Sequence, residues 1–346
     1  MIEPIELRSD NAAGVAPEIL QALASANIGS ALAYGADDWS ARLQAKVREV
    51  FEHADAAVFP VVTGTAANAI ALSAMCPPWG AVLCHETAHI LRSEGGSTSM
   101  FGAGLIMRGL PGKNFKLSVE SLEQAFETTR WGDPHHSQPS VLSLTSPTDL
   151  GTIYSVAEIR ALADKAKARG LRVHVDGARL ANAIAALGCS PAQLTWRAGV
   201  SVFSLGATKN GVMTADAIVS FDRRVNDELT YRLKRAGQVA SKMRFQSAQL
   251  LAYLEDELWL QLADRANSAM RQLSVGLVEL GVELVAEPQA NMVFLKVSSD
   301  LADRLASSGL LFYRTGPNVV RFVTSFATRD DEIVETLGRF KRALST

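Results

Sequence analysis

Leu171-Arg-Val-His-Val-Asp-Gly-Ala-Arg179 decides the fold. Its apolar start reads as a short buried strand, and Asp176 stands at the C-terminal end of that strand. Just upstream, Ser155-Val-Ala-Glu158 is a capping box, in which hydroxyl and carboxylate each satisfy a free backbone N–H. Behind it Val156, Ile159, Leu162, Ala163 and Ala166 recur at helical spacing until Gly170 stops the helix. Downstream, Ser190-Pro-Ala-Gln193 opens another helix, with Pro191 at its first position. Strand and helix in this alternation predict parallel pairing and an α/β layered domain.

The same texture extends both ways. Gly80-Ala-Val-Leu-Cys84, Gly104-Leu-Ile-Met107, Ser140-Val-Leu-Ser-Leu144, Val200-Ser-Val-Phe-Ser204 and Ala217-Ile-Val-Ser-Phe221 read as further buried strands. From about residue 249 the pattern changes. A long helix is expected over 250–280, then a strand at Asn291-Met-Val-Phe-Leu-Lys-Val297, a helix at 300–307, a strand at 319–323 and a last helix from Arg329. The expected organisation is an N-terminal segment with a large α/β domain over 1–248 and a small α+β domain over 249–346. The cleft between two domains is a common ligand site.

Composition narrows the function. The 346 residues carry 34 Lys+Arg against 36 Asp+Glu, a net charge of -2. A nucleic-acid binder should show a basic excess, so none is expected. Three cysteines make no disulfide framework and suit a reducing compartment. The start, Met1-Ile-Glu-Pro-Ile-Glu-Leu-Arg-Ser-Asp10, lacks the basic and apolar regions of a signal peptide. Residues 56–84 carry no charge, but Pro60, Gly64 and Pro77-Pro78 interrupt them, so core elements are expected there rather than a membrane span. Together these predict a cytoplasmic protein.

Three constellations could carry chemistry. His85-Glu-Thr-Ala-His89 fits the zinc-peptidase pattern, which needs one helix through all five residues to bring both histidines to a metal. A strand before it and Gly95-Gly96 after it leave little room for that helix. Zinc hydrolysis by His85, Glu86 and His89 is therefore the remote alternative. Val202-Phe-Ser-Leu-Gly-Ala-Thr-Lys-Asn-Gly211 places Lys209 just past a strand end. Ligands in open parallel sheets bind outside such ends. A strand-end Lys and a strand-end Asp in neighbouring units are what pyridoxal phosphate requires: the Lys forms a Schiff base with the aldehyde, and the Asp pairs with the pyridinium nitrogen. Thr63-Gly-Thr-Ala-Ala-Asn68 opens a helix with small residues, which suits a phosphate.

With these residues in view, the chain resembles the low-specificity L-threonine aldolases, pyridoxal-phosphate enzymes of the aspartate-aminotransferase fold (fold type I). Leu7-Arg-Ser-Asp-Asn11, Tyr34-Gly-Ala-Asp-Asp38, Thr63-Gly-Thr-Ala-Ala-Asn68, Cys84-His-Glu-Thr-Ala-His89, Thr148-Asp-Leu-Gly-Thr-Ile-Tyr154, His174-Val-Asp-Gly-Ala-Arg179, Gly206-Ala-Thr-Lys-Asn-Gly211, Ala236-Gly-Gln-Val-Ala-Ser-Lys-Met-Arg-Phe245 and Val320-Arg-Phe-Val-Thr324 carry the resemblance, in order, over nearly the whole chain. It implies a large domain with a mostly parallel sheet and a small C-terminal domain. It implies cleavage of L-threonine, L-allo-threonine or related β-hydroxy-α-amino acids to glycine and an aldehyde. Lys209 would be the Schiff-base lysine, Asp176 the partner of the pyridine nitrogen, and His89 the group stacked on the ring and the candidate base. Gly64 and Thr65 would hold the phosphate. Ser9, Arg179 and Arg321 would bind the substrate carboxylate, with Arg179 also near the cofactor. Tyr34 and His136 are further substrate-site candidates. Lys234 and Lys242 would reach the phosphate of a neighbouring subunit, in a homodimer or a dimer of dimers with shared sites.

The chain departs from the family pattern where Ser93 replaces an acid and where Ser146 and Asp149 replace Gln and Glu. The second active-site histidine of some subgroups has only His135 or His136 as a counterpart. These differences leave the preferred aldehyde open. Transamination and β-elimination on the same Lys209–Asp176 pair are the alternatives within the fold.

Overall fold

The computed structural model describes residues 3–345. Met1 and Ile2, the first two residues of the stretch 1–10 that lacks signal-peptide features, lie outside the described residues.

Seven strands form the large sheet. Their spatial order is Ala57–Val61, Asp216–Ser220, Val202–Leu205, Arg172–Gly177, Gln138–Thr145, Gly80–His85 and Ile106–Leu110. The last five run parallel, while Asp216–Ser220 is antiparallel to both of its neighbours. Helices cover the sheet, so inner strands such as Gly80–His85 and Val202–Leu205 are buried at every residue and read as continuous apolar runs. The strand expected from Gly104 starts two residues later, at Ile106, because Gly104 itself turns the chain at φ +97°. The capping box forms as expected at Ser155, whose N–H donates to Glu158 Oε2 at 2.7 Å.

The long helix expected over 250–280 is two helices, Arg244–Leu254 and Leu258–Glu279. Between them Asp256 and Glu257 adopt φ of 50° and 56°. The break turns the chain so that Tyr253 and Trp259, on opposite sides of it, both enter the large core with ring centroids 6.2 Å apart.

The second unit is a four-stranded antiparallel sheet in the order Tyr313–Gly316, Val319–Val323, Met292–Lys296, Glu283–Leu284, packed with the helices Ser299–Ser307 and Asp330–Leu344. The expected division at 248/249 shifts. Leu250, Leu251 and Leu254 of Arg244–Leu254 and Leu262 of Leu258–Glu279 pack in the large core, whereas Met270, Leu273 and Leu277 of that second helix pack in the small one. The N-terminal strand Ile5–Glu6 also belongs to the small unit: it pairs in parallel with Leu310–Leu311, and Ile5 and Leu7 join that core. Apolar contact, not chain order, sets the boundary. Among the described residues no helix is long and apolar enough to cross a membrane.

Candidate active site

The C-terminal ends of the parallel strands open into a cavity of about 450 Å³. Ser9, Gly64, Thr65, His89, Asp176, Arg179, Lys209 and Arg321 all line it. Two glycines let the adjacent strand ends converge. A Cβ on Gly206 would lie 2.2 Å from the carbonyl oxygen of Ala178, and one on Gly177 would lie 2.4 Å from that of Ser204. Only bare backbone fits between the Asp176 and Lys209 loops.

The Lys209 loop is anchored from three sides. Asp216 accepts the N–H groups of Ala207 and Thr208 at 2.8 and 3.0 Å. Asn210 donates to the Tyr253 hydroxyl at 2.9 Å and to the Trp259 carbonyl at 2.8 Å. Among the described residues Lys209 itself has no hydrogen-bond partner. Burial, and then the charge of Arg179, lower its pKa from the ordinary lysine value, which favours the neutral amine that carbonyl chemistry requires. Asp176 Oδ1 accepts the N–H of Ala178 at 3.1 Å and the Ser204 hydroxyl at 3.4 Å, which leaves Oδ2 without a protein partner.

The helix Gly64–Met75 begins at the same cavity, beside Asp216. Thr63 caps it by accepting the N–H of Ala66 at 3.1 Å. The amides of Gly64 and Thr65 precede the first intrahelical bonds and stay open, as an anion requires.

The His85–His89 stretch does not form one helix. His85 ends the strand Gly80–His85, and a one-turn helix starts only at His89. Both ring nitrogens of His85 are engaged, with the Thr87 hydroxyl at 2.7 Å and the Gly112 carbonyl at 3.2 Å. The geometry that the zinc alternative requires is therefore absent from this stretch. His89 instead meets Glu94, Nδ1 to Oε1 at 2.9 Å.

The guanidinium of Arg179 is directed at Asp10, Nε to Oδ2 at 2.6 Å and Nη2 to Oδ1 at 2.8 Å. Burial would raise the Asp10 pKa, but the charge and hydrogen bonds of Arg179, with Lys209 and Asn291, outweigh it and hold the carboxyl below the usual range. Arg321 comes from the small domain, on Val319–Val323. Its Nη2 donates to the Arg8 carbonyl at 3.1 Å, it lies 5.3 Å from the centre of the Tyr313 ring, and its buried Nε has no partner.

Four expected residues lie elsewhere in this chain, among them Lys242, which is exposed and does not line the cavity. Tyr34 and Lys234 face each other, with Nζ 4.6 Å from the ring centre, and Tyr34 lines a separate cavity. His136 is exposed and paired with Asp133 at 3.1 Å. It precedes the strand Gln138–Thr145, whose far end is the one at the cavity. Eight residues at about 3.3 Å each separate the two ends.

Asp10, Glu94, Asp149 and Asp216 were not singled out from sequence as site residues. Asp149 and Glu94 line the cavity, and burial, then Asp176 or His89, dominate their titration; both are raised. Asp10 could have been found from its place beside Ser9 in a matched stretch. Asp149 likewise lies in a matched stretch, Thr148–Tyr154, whereas Glu94 and Asp216 had no local signal.

A primary amine without a protein partner, an unpaired carboxylate oxygen at a neighbouring strand end and two open amides share one cavity. These donors fit pyridoxal phosphate: Lys209 for its aldehyde, Asp176 for its ring nitrogen, Gly64 and Thr65 for its phosphate. Fold and site define a pyridoxal-phosphate enzyme of fold type I. Residues 6–300 match the β-eliminating lyase family. A low specificity L-threonine aldolase of Pseudomonas aeruginosa is 40% identical over 339 residues, covering 96% of each chain. One from a Pseudomonas species is 38% identical over 342 residues, covering 98% of each. The solved threonine aldolase of Leishmania major superimposes with a TM-score of 0.92 at 26% identity, over 98% of this chain and 99% of that one. The chain belongs to the β-eliminating lyase family and, within it, to the low-specificity L-threonine aldolases.

Proposed function

We propose that this enzyme is a carbon–carbon lyase that cleaves L-threonine, L-allo-threonine or related β-hydroxy-α-amino acids to glycine and an aldehyde. One observation carries the reading: a histidine backed by a buried carboxylate shares the cavity with Lys209 and Asp176. Bound pyridoxal phosphate supplies an electron sink for the pair released when the Cα–Cβ bond breaks. The chain's own residues do the rest. Lys209 would hold the cofactor, Asp176 would pair with its ring nitrogen, and the amides of Gly64 and Thr65 would hold its phosphate. Arg321, with Ser9, would bind the substrate carboxylate and so fix which Cα bond is aligned for cleavage. His89 takes the β-hydroxyl proton.

Ile28, Leu32 and Tyr34 are 80%, 71% and 59% exposed on one irregular segment. This supports a homo-oligomer, dimer or tetramer, in which Tyr34 and Lys234 meet a neighbour's site. Three free thiols support a cytoplasmic location.

The test is product analysis of the cofactor-loaded protein with L-threonine. Glycine and acetaldehyde in equal amounts are expected. Ammonia with a 2-oxo acid would replace the aldolase reading with β-elimination, and a 2-oxo acid formed only with an amino acceptor would replace it with transamination.

A further inference from the structure

Glu94 sits beneath His89. Its side chain is 1% exposed, against 39% for His89. Oε1 accepts twice, from His89 Nδ1 at 2.9 Å and from Asn68 Nδ2 at 2.9 Å, while Oε2 is buried without a partner. Gly95 and Gly96, at φ +60° and +74°, turn the chain just after it. The helix Gly64–Met75 brings Asn68 from the other side.

We propose that Glu94 is a positioning residue for His89: it fixes the ring proton on Nδ1, leaves the Nε2 lone pair to the substrate's β-hydroxyl, and raises the basicity of that nitrogen. The proposal rests on the aldolase reading, in which His89 takes that proton. An ionised carboxylate only accepts hydrogen bonds. Oε1 already accepts from the Asn68 amide, so the proton in the second bond belongs to Nδ1. A neutral imidazole has one N–H, and its lone pair is then on Nε2. When the hydroxyl O–H breaks, the proton forms Nε2–H and the imidazolium charge stands against Glu94. The O–H pair becomes the aldehyde C=O as Cα–Cβ breaks, a proton from solvent then completes glycine at Cα, and the imidazolium returns its own proton to solvent. A carboxylate behind an imidazole orients the ring and strengthens it as a base in this way.

The charged groups around His89 act mostly in one direction. The hydrogen bond that His89 donates to Glu94 is the largest influence and raises the His89 pKa; burial opposes it; Asp176 and Asp149 add to the rise. Glu94 is itself pushed up by burial and by Asp176, against the pull of His89 and Asn68. Its carboxylate oxygen, the His89 nitrogen and an Asp176 oxygen lie within 4.8 Å of one another.

The test is nitrogen-15 NMR of the histidine rings in the cofactor-free protein, with His89 assigned from His89→Asn. The neutral ring of His89 should carry its proton on Nδ1; a proton on Nε2 would overturn the proposal without any variant at Glu94. In Glu94→Gln the His89 proton affinity should fall about tenfold or more. In the cofactor-loaded variant, threonine cleavage should lose about tenfold or more in kcat with little change in KM, and the acid limb of kcat/KM should move to lower pH. A folded Glu94→Gln protein with an unchanged His89 titration and acid limb would overturn the proposal. A wild-type enzyme that makes no glycine would instead sink the aldolase reading and leave the ring-proton result standing.

Discussion

Arg179 spends two donors on Asp10, at 2.6 and 2.8 Å, so the side of its fork best suited to a substrate carboxylate is already filled from within the chain. Asn291 adds a third donor to the same carboxylate at 3.1 Å. Arg179 is thereby a fixed wall of the cavity, and Arg321, with its unpartnered Nε, is the freer guanidinium.

Removing Asp10 should therefore act first on stability. Asp10 is 2% exposed, and taking one partner from a buried pair costs about 3 to 5 kcal/mol. Asp10→Ala should show this loss in urea unfolding of the cofactor-free protein at pH 7. Because the folded pKa of Asp10 lies below its ordinary value of 3.8, its contribution is present above that pH and is lost as pH falls through the folded value. Asp10→Asn should lack this component of the acid dependence.

Arg321→Ala should weaken amino-acid binding. A charged hydrogen-bonding partner is worth about 1.5 to 3 kcal/mol, so KM for threonine should rise roughly tenfold or more while the cofactor stays bound. Arg321→Lys should not restore KM, since an ammonium lacks the planar fork. Steady-state kinetics check both, and an unchanged KM in Arg321→Ala would move the carboxylate to the free edge of Arg179.

Gly206→Ala should lose the site before it loses the fold. Its Cβ would meet the Ala178 carbonyl oxygen at 2.2 Å, a backbone atom that cannot rotate away. Overpacking of this kind costs about 1 to 3 kcal/mol, occasionally more. The expected readout is a lower melting temperature and weaker cofactor binding in a titration followed by absorbance, both absent if the two loops can separate freely.

His136→Ala should leave kcat/KM for threonine within about twofold, as surface substitutions away from special features generally do. A loss of tenfold would show that His136 acts in the site of another copy, since within its own chain it lies at the opposite end of Gln138–Thr145.

Much of the fold was legible because its signals are local. Capping boxes at Ser155 and Ser190, apolar runs and turn glycines act over a few residues, and all of them formed. The long helix over 250–280 misled because periodicity continues across a break that is decided by where Tyr253 and Trp259 are buried. Likewise the strand Ile5–Glu6 carries no sign that its partner is Leu310–Leu311.

The site divides in the same way. Sequence by itself pointed to residue types and strand ends: Lys209, Asp176 and the opening of the helix at Gly64. It also placed His89, Arg179 and Arg321 in the site, on resemblance. Only the tertiary structure decided which of those groups are free to act. Asp10 claims Arg179 across 169 residues, Glu94 claims one nitrogen of His89, and a full strand length keeps His136 from the cavity. The physical reason is range. Helix caps and strand ends follow from neighbours along the chain, whereas ion pairing and the free edge of a ring depend on which buried charges the packed fold brings within hydrogen-bonding distance.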